Sequence, residues 1–478
     1  MALNQTELNV GELLKRHPEL QISHNNYNIN VTANFGETVE GAALADLYNN
    51  FDGANKPATL YFHVPLCSYI CYFCNYVKKY LPQNGNEEEV LDRWVNLLIK
   101  ESTSTIGQAP WVTKAKIESI YLGGGTASLM KPHQLAKIVA HIREHYTIAN
   151  DCEISLEGNP DNYQGDEIEQ ALEMGFNRFS MGVQSLEDDV IKAVGRKHDR
   201  KMSIDAINKL LLSNKPFNVD IIFGLPHQTA NSVARDIEVL CDMGVPTITI
   251  YRLRNADRQK MGIGNVSLWN NDRVREKMEA EGLFPTLEQT YQMREEILKV
   301  FLKYGYEPSP CGWWSRKNTY PEGNIPQISK NKWERYDSMI AYGPGVYGWL
   351  NDKEGTILQT HNVSDINRYV ERMENDESPS SFGRMLTGNE AISTSLGFNY
   401  KSNQPIQLSR YQKEFHVDLI NDEPYAGVIR SLLESNLLMK LDDDRLLPTL
   451  EGEALHEEII SVYFHGQIGQ FTSEICHK

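Results

Sequence analysis

The sequence predicts an α/β protein whose central part is a partial (β/α)6 barrel, a parallel sheet of six strands with connecting helices. Between residues 58 and 255, short apolar segments alternate with amphipathic segments of roughly 10 to 15 residues. This alternation indicates parallel strands, because parallel strands need a long return connection. A second observation agrees with it: the glycines, cysteines and acidic residues that stand out in this region cluster where the strands would end.

Six strand–helix units account for the alternation. The strands are expected at 59–66, 116–128, 152–160, 177–185, 217–226 and 245–254, and the helices between them at 87–103, 132–146, 166–176, 202–214 and 230–244. In α/β barrels, open or closed, the active site lies at the carboxyl ends of the strands. We therefore expect the functional residues of this chain at those ends, which include Glu157 and Asn159 after the third strand.

Three further regions flank the barrel. Residues 1–57 form a polar, Asn-rich N-terminal extension. Residues 256–384 contain a long amphipathic helix and glycine turns, and we expect them to complete the barrel close to the substrate. Residues 385–478 are predicted to form a small C-terminal domain, with a helix, a hairpin around an Asp-rich turn and a second helix.

Composition restricts the function classes. The chain has 478 residues and a formal net charge of −17, which argues against a nucleic-acid partner because phosphate contacts need clustered Lys and Arg. There is no apolar run long enough for a membrane span, and the first residues lack the pattern of a signal peptide. We expect a cytoplasmic protein, in which the seven cysteines do not form a disulfide framework.

Three of those cysteines, Cys67, Cys71 and Cys74, follow the first strand in a C-x3-C-x2-C pattern. Thiolates this close are typical of a metal site, whereas a catalytic cysteine needs one thiol and a base. A structural zinc site takes four ligands, and no second pair of cysteines at this spacing exists. An iron–sulfur cluster fits better, and three protein ligands would leave one iron open to a substrate or cofactor.

The spacing, with Phe73 directly before the last cysteine, resembles the radical S-adenosylmethionine (radical SAM) superfamily. The resemblance implies that Cys67, Cys71 and Cys74 hold a [4Fe–4S] cluster whose open iron chelates the amino and carboxylate groups of SAM. It also implies a reaction: one electron cleaves SAM to methionine and a 5′-deoxyadenosyl radical, which then abstracts a hydrogen atom.

Longer segments narrow the resemblance. LYFHVPLC, YLGGGTAS, EISLEGNP, GFNRFSMGVQS, VDIIFGLPHQT and the tail are similar to the oxygen-independent coproporphyrinogen III oxidase (HemN-like) group, from about residue 58 to the end. The group includes haem-synthesis enzymes, a haem chaperone, haem-degrading enzymes and the class C radical methylases and cyclopropanases. The resemblance implies a HemN-like helical or winged C-terminal domain.

The resemblance also implies a set of SAM contacts. They are Tyr61, Phe73, Gly124, Gly125, Thr126, Glu157, Gln184, Arg196, Asp220 and Tyr347. Other interpretations stay open: the glycine turn could be a plain tight turn or a phosphate cradle, Arg196 could be a solvated helix end, and Tyr61 and Phe73 could be core residues. No general acid or base can be assigned from the sequence.

Two departures from the group bear on the reaction. Tyr76 stands where the anaerobic haem-synthesis enzyme usually carries a further cysteine, and the segment from Cys311 to Trp314 differs from its Asp-His-Phe-like segment. Our leading hypothesis from the sequence is therefore a class C enzyme that binds two SAM molecules and methylates or cyclopropanates an unsaturated or aromatic substrate. The aromatic residues Trp313, Trp314, Tyr320 and Trp333 would line its pocket, although a packed interdomain seam is an equal possibility.

Two alternatives remain. The first is an enzyme that oxidises or opens a tetrapyrrole, and the second is a haem chaperone, for which His198 and His227 are the available axial ligands. For either enzyme, the resemblance implies a reducing partner such as a flavodoxin or ferredoxin.

Overall fold

The computed structural model describes residues 8–21, 36–253, 277 and 279–469. The boundary predicted at residue 255 and the last nine residues lie outside this part of the chain. The strands, β1 to β18 in chain order, are Glu37–Val39, Pro57–Val64, Leu66–Cys67, Lys79–Tyr80, Lys116–Gly124, Ile148–Gly158, Arg178–Gln184, Phe217–Phe223, Thr247–Arg252, Glu307–Pro308, Trp313–Ser315, Ser338–Tyr342, Tyr347–Asn351, Ile357–Asn362, Ser380–Leu386, Ile406–Gln407, Leu438–Lys440 and Arg445–Pro448.

Helices connect these strands. In chain order, α1 to α18 are Val10–Arg16, Gly41–Asn49, Glu87–Gln108, Trp111–Lys114, Pro132–His145, Glu167–Glu173, Asp188–Ala193, Arg200–Leu212, Ala230–Asp242, Leu287–Lys303, Pro321–Asn324, Gln327–Ser329, Ile366–Glu374, Gly388–Lys401, Leu408–Phe415, Tyr425–Glu434, Leu450–Ala454 and His456–Ile459. A π-helix, Ile460–Ile468, follows α18 directly.

One large sheet organises the described residues, with the strand order β1-β15-β14-β13-β12-β2-β5-β6-β7-β8-β9-β11-β10. The six strands predicted from the sequence are β2 and β5 to β9, and they run parallel in chain order. The sheet is open, since β1 and β10 lie at its two edges. The prediction of an α/β protein with a partial barrel is therefore confirmed.

The antiparallel extensions of the sheet were not predicted. Strand β12 joins β2 in parallel, and β13, β14, β15 and β1 then follow in antiparallel order. At the other side, β11 pairs antiparallel with β9. Strands β12, β13 and β14 follow one another without an intervening helix, so the strand–helix rhythm that identifies the parallel core gives no signal for them.

The two faces of the parallel core differ in polarity. On β2, Leu60, Phe62 and Val64 are buried among the apolar residues of the main hydrophobic core. The intervening Tyr61 and His63 point to the opposite face, because successive side chains of a strand alternate. That face carries many polar residues, and we call it the concave face.

The C-terminal region contains the predicted helix, hairpin and helix. Strands β16, β18 and β17 form a small antiparallel sheet beside α16 and α17. N-terminal helix α1 contacts both α10 and this region: the Val10 amide donates to Glu295 Oε2 of α10 over 2.8 Å, and Arg16 pairs with Glu451 of α17. Among the described helices, none combines the length and the apolar character of a membrane span.

Candidate functional site

The three cysteines lie on a loop that a short parallel pairing ties to the sheet. Cys67 ends β3, and β3 pairs in parallel with β4, which begins twelve residues after Cys67. Leu66 lies opposite Lys79, and Cys67 lies opposite Tyr80. The Leu81 amide donates to the Cys67 carbonyl over 2.8 Å, and the Cys74 amide donates to the Cys71 carbonyl over 3.3 Å. The loop is therefore held at both ends, directly after β2.

A chain of polar contacts crosses the strand ends and returns to this loop. Thr126, in the turn after β5, hydrogen-bonds to the Cys67 sulfur. Asn159, after β6, donates from Nδ2 to Thr126 Oγ1 over 3.3 Å and accepts at Oδ1 from Arg196 over 2.6 Å. Arg196 in turn donates to Cys71 Sγ over 3.3 Å and to the Gly182 carbonyl over 2.6 Å. The prediction that the strand ends converge on the cysteines agrees with this network.

Arg196 is buried, with 8% of its surface exposed, so the alternative of a solvated helix end is wrong. Its partners are an amide, a carbonyl, a sulfur and the His198 ring, and no carboxylate pairs with it among the described residues. A buried positive charge without an anionic partner is costly. The site therefore favours an anion beside Cys71, such as thiolates or a ligand carboxylate.

The glycine turn is packed from three sides. A Cβ at Gly124, whose φ is +113°, would lie 2.6 Å from the His63 ring, and one at Gly125 would lie 2.6 Å from the Leu66 carbonyl oxygen. The Gly125 amide donates to the Val64 carbonyl over 2.7 Å. These contacts require glycine whatever ligand binds, so the turn has a steric role in the fold as well as its predicted position beside the cysteines.

Gln184 ends β7 in a strained conformation. Its φ is +73°, in the left-handed region that a residue with a side chain rarely adopts. Its side chain is buried, and within the described part of the chain its Oε1 has no hydrogen-bond partner. Strain together with an unpaired buried acceptor is typical of a ligand contact. The SAM contact of Gln184 stays a prediction.

Glu157 and Asp220 line the concave face beside each other. Burial, with the nearby Asp220 charge, raises the pKa of Glu157 to about 7, while a hydrogen bond from the Gly124 amide opposes that rise. Burial raises the pKa of Asp220 to about 6. The sequence placed both at strand ends, but Asp220 lies in the middle of β8, held by Asn218 over 2.7 Å. Its side chain lies on the concave face, near Glu157.

Tyr61 and His63 brace the cysteine loop from β2. The Tyr61 hydroxyl donates to His63 Nδ1 over 3.0 Å, and His63 Nε2 donates to the Val77 carbonyl over 2.7 Å. This pairing makes the ring the Nε2–H tautomer. Tyr61 also stacks on Tyr121 at 6.0 Å. Phe73, in contrast, packs against an apolar cluster with Val190 and Leu225, which supports the core-packing alternative for that residue.

The turn between β12 and β13 lies against the same loop. A Cβ at Gly343 would meet the His63 carbonyl oxygen at 2.7 Å, and one at Gly345 would meet the Val77 side chain. The buried carboxylate of Glu101 on α3 accepts from the Gly343 amide over 2.8 Å and holds the turn in place. Tyr347, the residue predicted nearest the ligand, follows the turn and is 50% exposed.

The predicted aromatic pocket is a packed region. Trp313, Trp314, Tyr320 and Trp333 are each at most 8% exposed. Trp314 stacks on Phe301 at 5.0 Å, and Trp313 meets Trp333 edge to face at 5.6 Å. The interpretation of these four residues as an open pocket for a flat substrate is therefore wrong. Tyr76, the residue at the expected fourth-cysteine position, is 64% exposed.

Several residues of the concave face were missed by the sequence analysis. Arg178 is 1% exposed and donates to Asn218 Oδ1 over 2.5 Å and to Ser155 Oγ over 3.3 Å. Tyr121 lies between Tyr61 and Glu157. The signal for them was present: polar residues recur at every second position of strands that are otherwise apolar, which marks the inner face of a barrel.

The donor set fits an iron–sulfur cluster. Three thiols share one loop, with a buried arginine and a hydroxyl donor directed at two of the sulfurs. Burial raises the pKa of the Cys67 thiol to about 12, so a bound metal is what would make it a thiolate. Within the described ranges, no three His, Cys, Asp or Glu side chains are already gathered around one metal position.

Comparison with known proteins identifies the type of domain. Residues 61–240 match the model of the radical SAM superfamily. The chain is 23% identical to the heme chaperone HemW of Bacillus subtilis, over 84% of this chain and 98% of that protein. It is also 23% identical to the oxygen-independent coproporphyrinogen III oxidase of Helicobacter pylori, over 80% and 81%.

Two further comparisons agree. The anaerobilin synthase of Escherichia coli O157:H7 is 32% identical over 218 residues, which are 45% of this chain and 47% of that protein. Among solved structures, the coproporphyrinogen III oxidase HemN of Escherichia coli matches with a TM-score of 0.71 at 18% identity, over 93% of this chain and 99% of that one. The structural match shows a shared fold along most of the chain.

Proposed function

We propose that this chain, a radical SAM protein of the HemN-like group, cleaves SAM reductively and acts on a tetrapyrrole. The observation that carries the first part is the closed network from Cys67 through Thr126, Asn159 and Arg196 to Cys71. It links the carboxyl ends of four strands to two of the three thiols. A network of this kind serves to position a ligand at the strand ends, where α/β barrels bind their substrates.

Each group of residues at the site would have a separate role in holding the cluster or SAM. Cys67, Cys71 and Cys74 would hold the [4Fe–4S] cluster, and Arg196 would neutralise negative charge beside it. Gly125 and Thr126 would bring backbone close to the methionine part of SAM, and Glu157 and Gln184 would accept its polar hydrogens. With both cofactors bound, one electron from the cluster would cleave SAM to methionine and a 5′-deoxyadenosyl radical.

The relatives favour a tetrapyrrole over the substrates of the class C enzymes. Two of the names reported above, heme chaperone and coproporphyrinogen III oxidase, refer to tetrapyrroles, and both relatives match most of this chain. The aromatic residues that the methylation hypothesis relied on are buried. Methylation or cyclopropanation with a second SAM is therefore the less supported proposal, and an electron donor such as a flavodoxin or ferredoxin remains a proposal for the partner.

The test is an anaerobic SAM-cleavage assay with the reconstituted protein, dithionite and coproporphyrinogen III. We expect 5′-deoxyadenosine to form and to rise with substrate. The matched controls are the Cys67/Cys71/Cys74→Ala variant, which should form none, and the Cys152→Ala/Cys241→Ala variant, which removes two buried cysteines outside the loop. Equal activity in all three proteins would overturn the proposal, and S-adenosylhomocysteine forming in step with 5′-deoxyadenosine would return methylation to first place.

Haem binding without catalysis is the second candidate, favoured by the match to 98% of the Bacillus subtilis heme chaperone. The structure distinguishes the two histidines considered for it. His198 is buried between Arg196 and the Val183 carbonyl, whereas His227 is exposed after β8. Haem titration by absorbance would test this candidate: His227→Ala should change the spectrum of bound haem, and a wild-type protein that cleaves no SAM would favour it.

A further inference from the structure

A row of side chains on the concave face of β13, β14 and β15 combines aromatic rings with buried nitrogen atoms that make no hydrogen bond in the described part of the chain. Tyr347, His361 and Phe382 are directly opposed across the three strands. The Tyr347 and His361 rings meet edge to face at 4.3 Å, and the His361 and Phe382 rings stack at 4.3 Å. Arg384 lies two residues further along β15, on the same face, with its guanidinium 5.2 Å from the Phe382 ring. We call these four residues the ring ladder.

Two buried nitrogen atoms of the ring ladder have no hydrogen-bond partner among the described residues. His361 is 6% exposed, yet among the described residues its Nε2 makes no hydrogen bond, and the same holds for Arg384 Nε. No ion pair to Arg384 is present in that part of the chain either. Burial, with the nearby Arg384 charge, lowers the pKa of His361 to about 4, so the ring is neutral at physiological pH. Buried polar atoms in native proteins normally have partners, so these two nitrogen atoms point to a ligand.

The ring ladder is continuous with the cysteine site. Tyr347 follows the turn whose glycines lie against His63 and Val77 of the cysteine loop. Tyr61, which bonds to His63, packs against the same apolar cluster as Trp349 of β13. Two residues further along β13, Trp349 is covered by Phe398 of α14, which also packs on Tyr336. The ladder therefore occupies the stretch between the site and the C-terminal region, and it is partly open to solvent at Tyr347.

We propose that the ring ladder is a subsite for a planar ring that carries a carboxylate. The exposed Tyr347 ring and the partly exposed Phe382 ring offer apolar contacts to a planar ring, and Arg384 offers a charge-assisted donor for the carboxylate. His361 Nε2 supplies a second polar contact. The subsite explains why a neutral histidine and an unpaired arginine are kept together on an inner sheet face, where apolar residues would pack at lower cost.

The test is a set of equilibrium titrations, and its choice of a tetrapyrrole probe rests on the proposed function. The probes are protoporphyrin IX, its dimethyl ester, which lacks the charge, and 1-pyrenebutyrate, a flat carboxylate that is no tetrapyrrole. The variants are Arg384→Gln and, as matched control, Arg368→Gln, which removes an exposed arginine from α13. We expect Arg384→Gln to weaken both acids at least about tenfold and to remove the preference for the acid over its ester.

A second variant, Phe382→Leu, distinguishes loss of the arginine from general disruption of the ring ladder. Phe382→Leu retains Arg384, so it should weaken all three probes a few-fold and keep the preference for the acid. If Arg384→Gln and Arg368→Gln behave alike, or no probe binds, the subsite is overturned. Tight binding of protoporphyrin IX without dependence on Arg384 overturns the subsite and leaves the proposed function standing. Arg384-dependent binding of 1-pyrenebutyrate alone supports the subsite and argues against a tetrapyrrole substrate.

Discussion

Two buried arginines of this protein, Arg196 and Arg294, have opposite surroundings. Arg294 on α10 donates to both oxygens of Glu458, at 3.0 and 2.9 Å, and pairs with Glu457 at 3.2 Å. Tyr291 and Arg252 complete that group around Glu458. Arg196 has only uncharged partners and a thiol. The charge of Arg294 is neutralised by carboxylates of the protein. The charge of Arg196 is not, so it is available to a negatively charged ligand.

The difference distinguishes a structural from a functional buried charge. The Arg294 group joins the barrel to α18 in the C-terminal region, and its charges neutralise each other. It therefore stabilises an interface and has nothing left for a ligand. The Arg196 network keeps a net positive charge beside the thiols and includes the strained Gln184 nearby. Incomplete pairing, more than burial or charge alone, marks the site.

Arg294→Leu tests whether Arg294 has a structural role, and it should have the largest effect on stability. Removing the Arg294 cation takes away both hydrogen bonds to the buried Glu458 and leaves it with Arg252, 3.7 Å away, so we expect a loss of about 3 to 5 kcal/mol in the free energy of unfolding. Urea denaturation of the reconstituted protein would measure it. A loss under about 1 kcal/mol would mean that Arg294 is no structural anchor. As a control, Arg430→Leu removes an exposed arginine and should change little.

Arg196→Gln should weaken SAM binding strongly and change stability less than Arg294→Leu does. We expect SAM affinity to fall about 10- to 100-fold, because a group that orients cofactor ligands is lost, while the free energy of unfolding changes less than in Arg294→Leu. SAM binding by equilibrium dialysis and urea denaturation give the two readouts. An Arg196→Gln protein with unchanged SAM affinity would remove the distinction between the two arginines.

Gly124→Ala tests whether the turn after β5 requires glycine for steric reasons. Its positive φ and the adjacent His63 ring leave no room for a Cβ, so we expect a loss of about 1 to 3 kcal/mol in stability and weaker SAM binding. Gly107→Ala is the matched control: nothing lies within 4 Å of its Cβ, and it lies in α3, where Ala should stabilise by about 0.5 to 1 kcal/mol. Thermal unfolding of both variants distinguishes steric strain from a general effect of replacing glycine.

The smallest effect expected is in the pH dependence of stability without SAM. The folded-state pKa of Glu157 is about 7, above its unfolded value, so the folded chain binds the extra proton between about pH 4.5 and 7. Stability should therefore fall as pH rises through that window. The shift alone corresponds to about 3 kcal/mol, and because Asp220 titrates beside Glu157 and shares the effect, we expect about 1 to 2 kcal/mol from this group. Glu157→Gln should flatten the slope, and the exposed Glu354→Gln should not. Parallel slopes for all three proteins would show that Glu157 does not titrate there.

Much of the site could be predicted from the sequence. The cysteine loop, the glycine turn and the residues Glu157 and Gln184 are local signals tied to strand ends, and parallel strands bring their ends together by geometry. Arg196 was identified by resemblance, but its burial was open. The Trp313 region was misjudged because aromatic residues mark pockets and packed seams alike, and only the neighbours Phe301 and Arg178 distinguish them.

The parallel α/β core and the position of the thiols can be derived from the amino-acid sequence alone, because both follow from short-range periodicity and spacing. Tertiary structure decided the antiparallel extension of the sheet, the Glu101 support of the Gly343 turn and the alignment of Tyr347, His361 and Phe382. These features join residues far apart in the chain, and their partners are set by packing and strand register. No local pattern carries that information, since each strand alone has several possible neighbours.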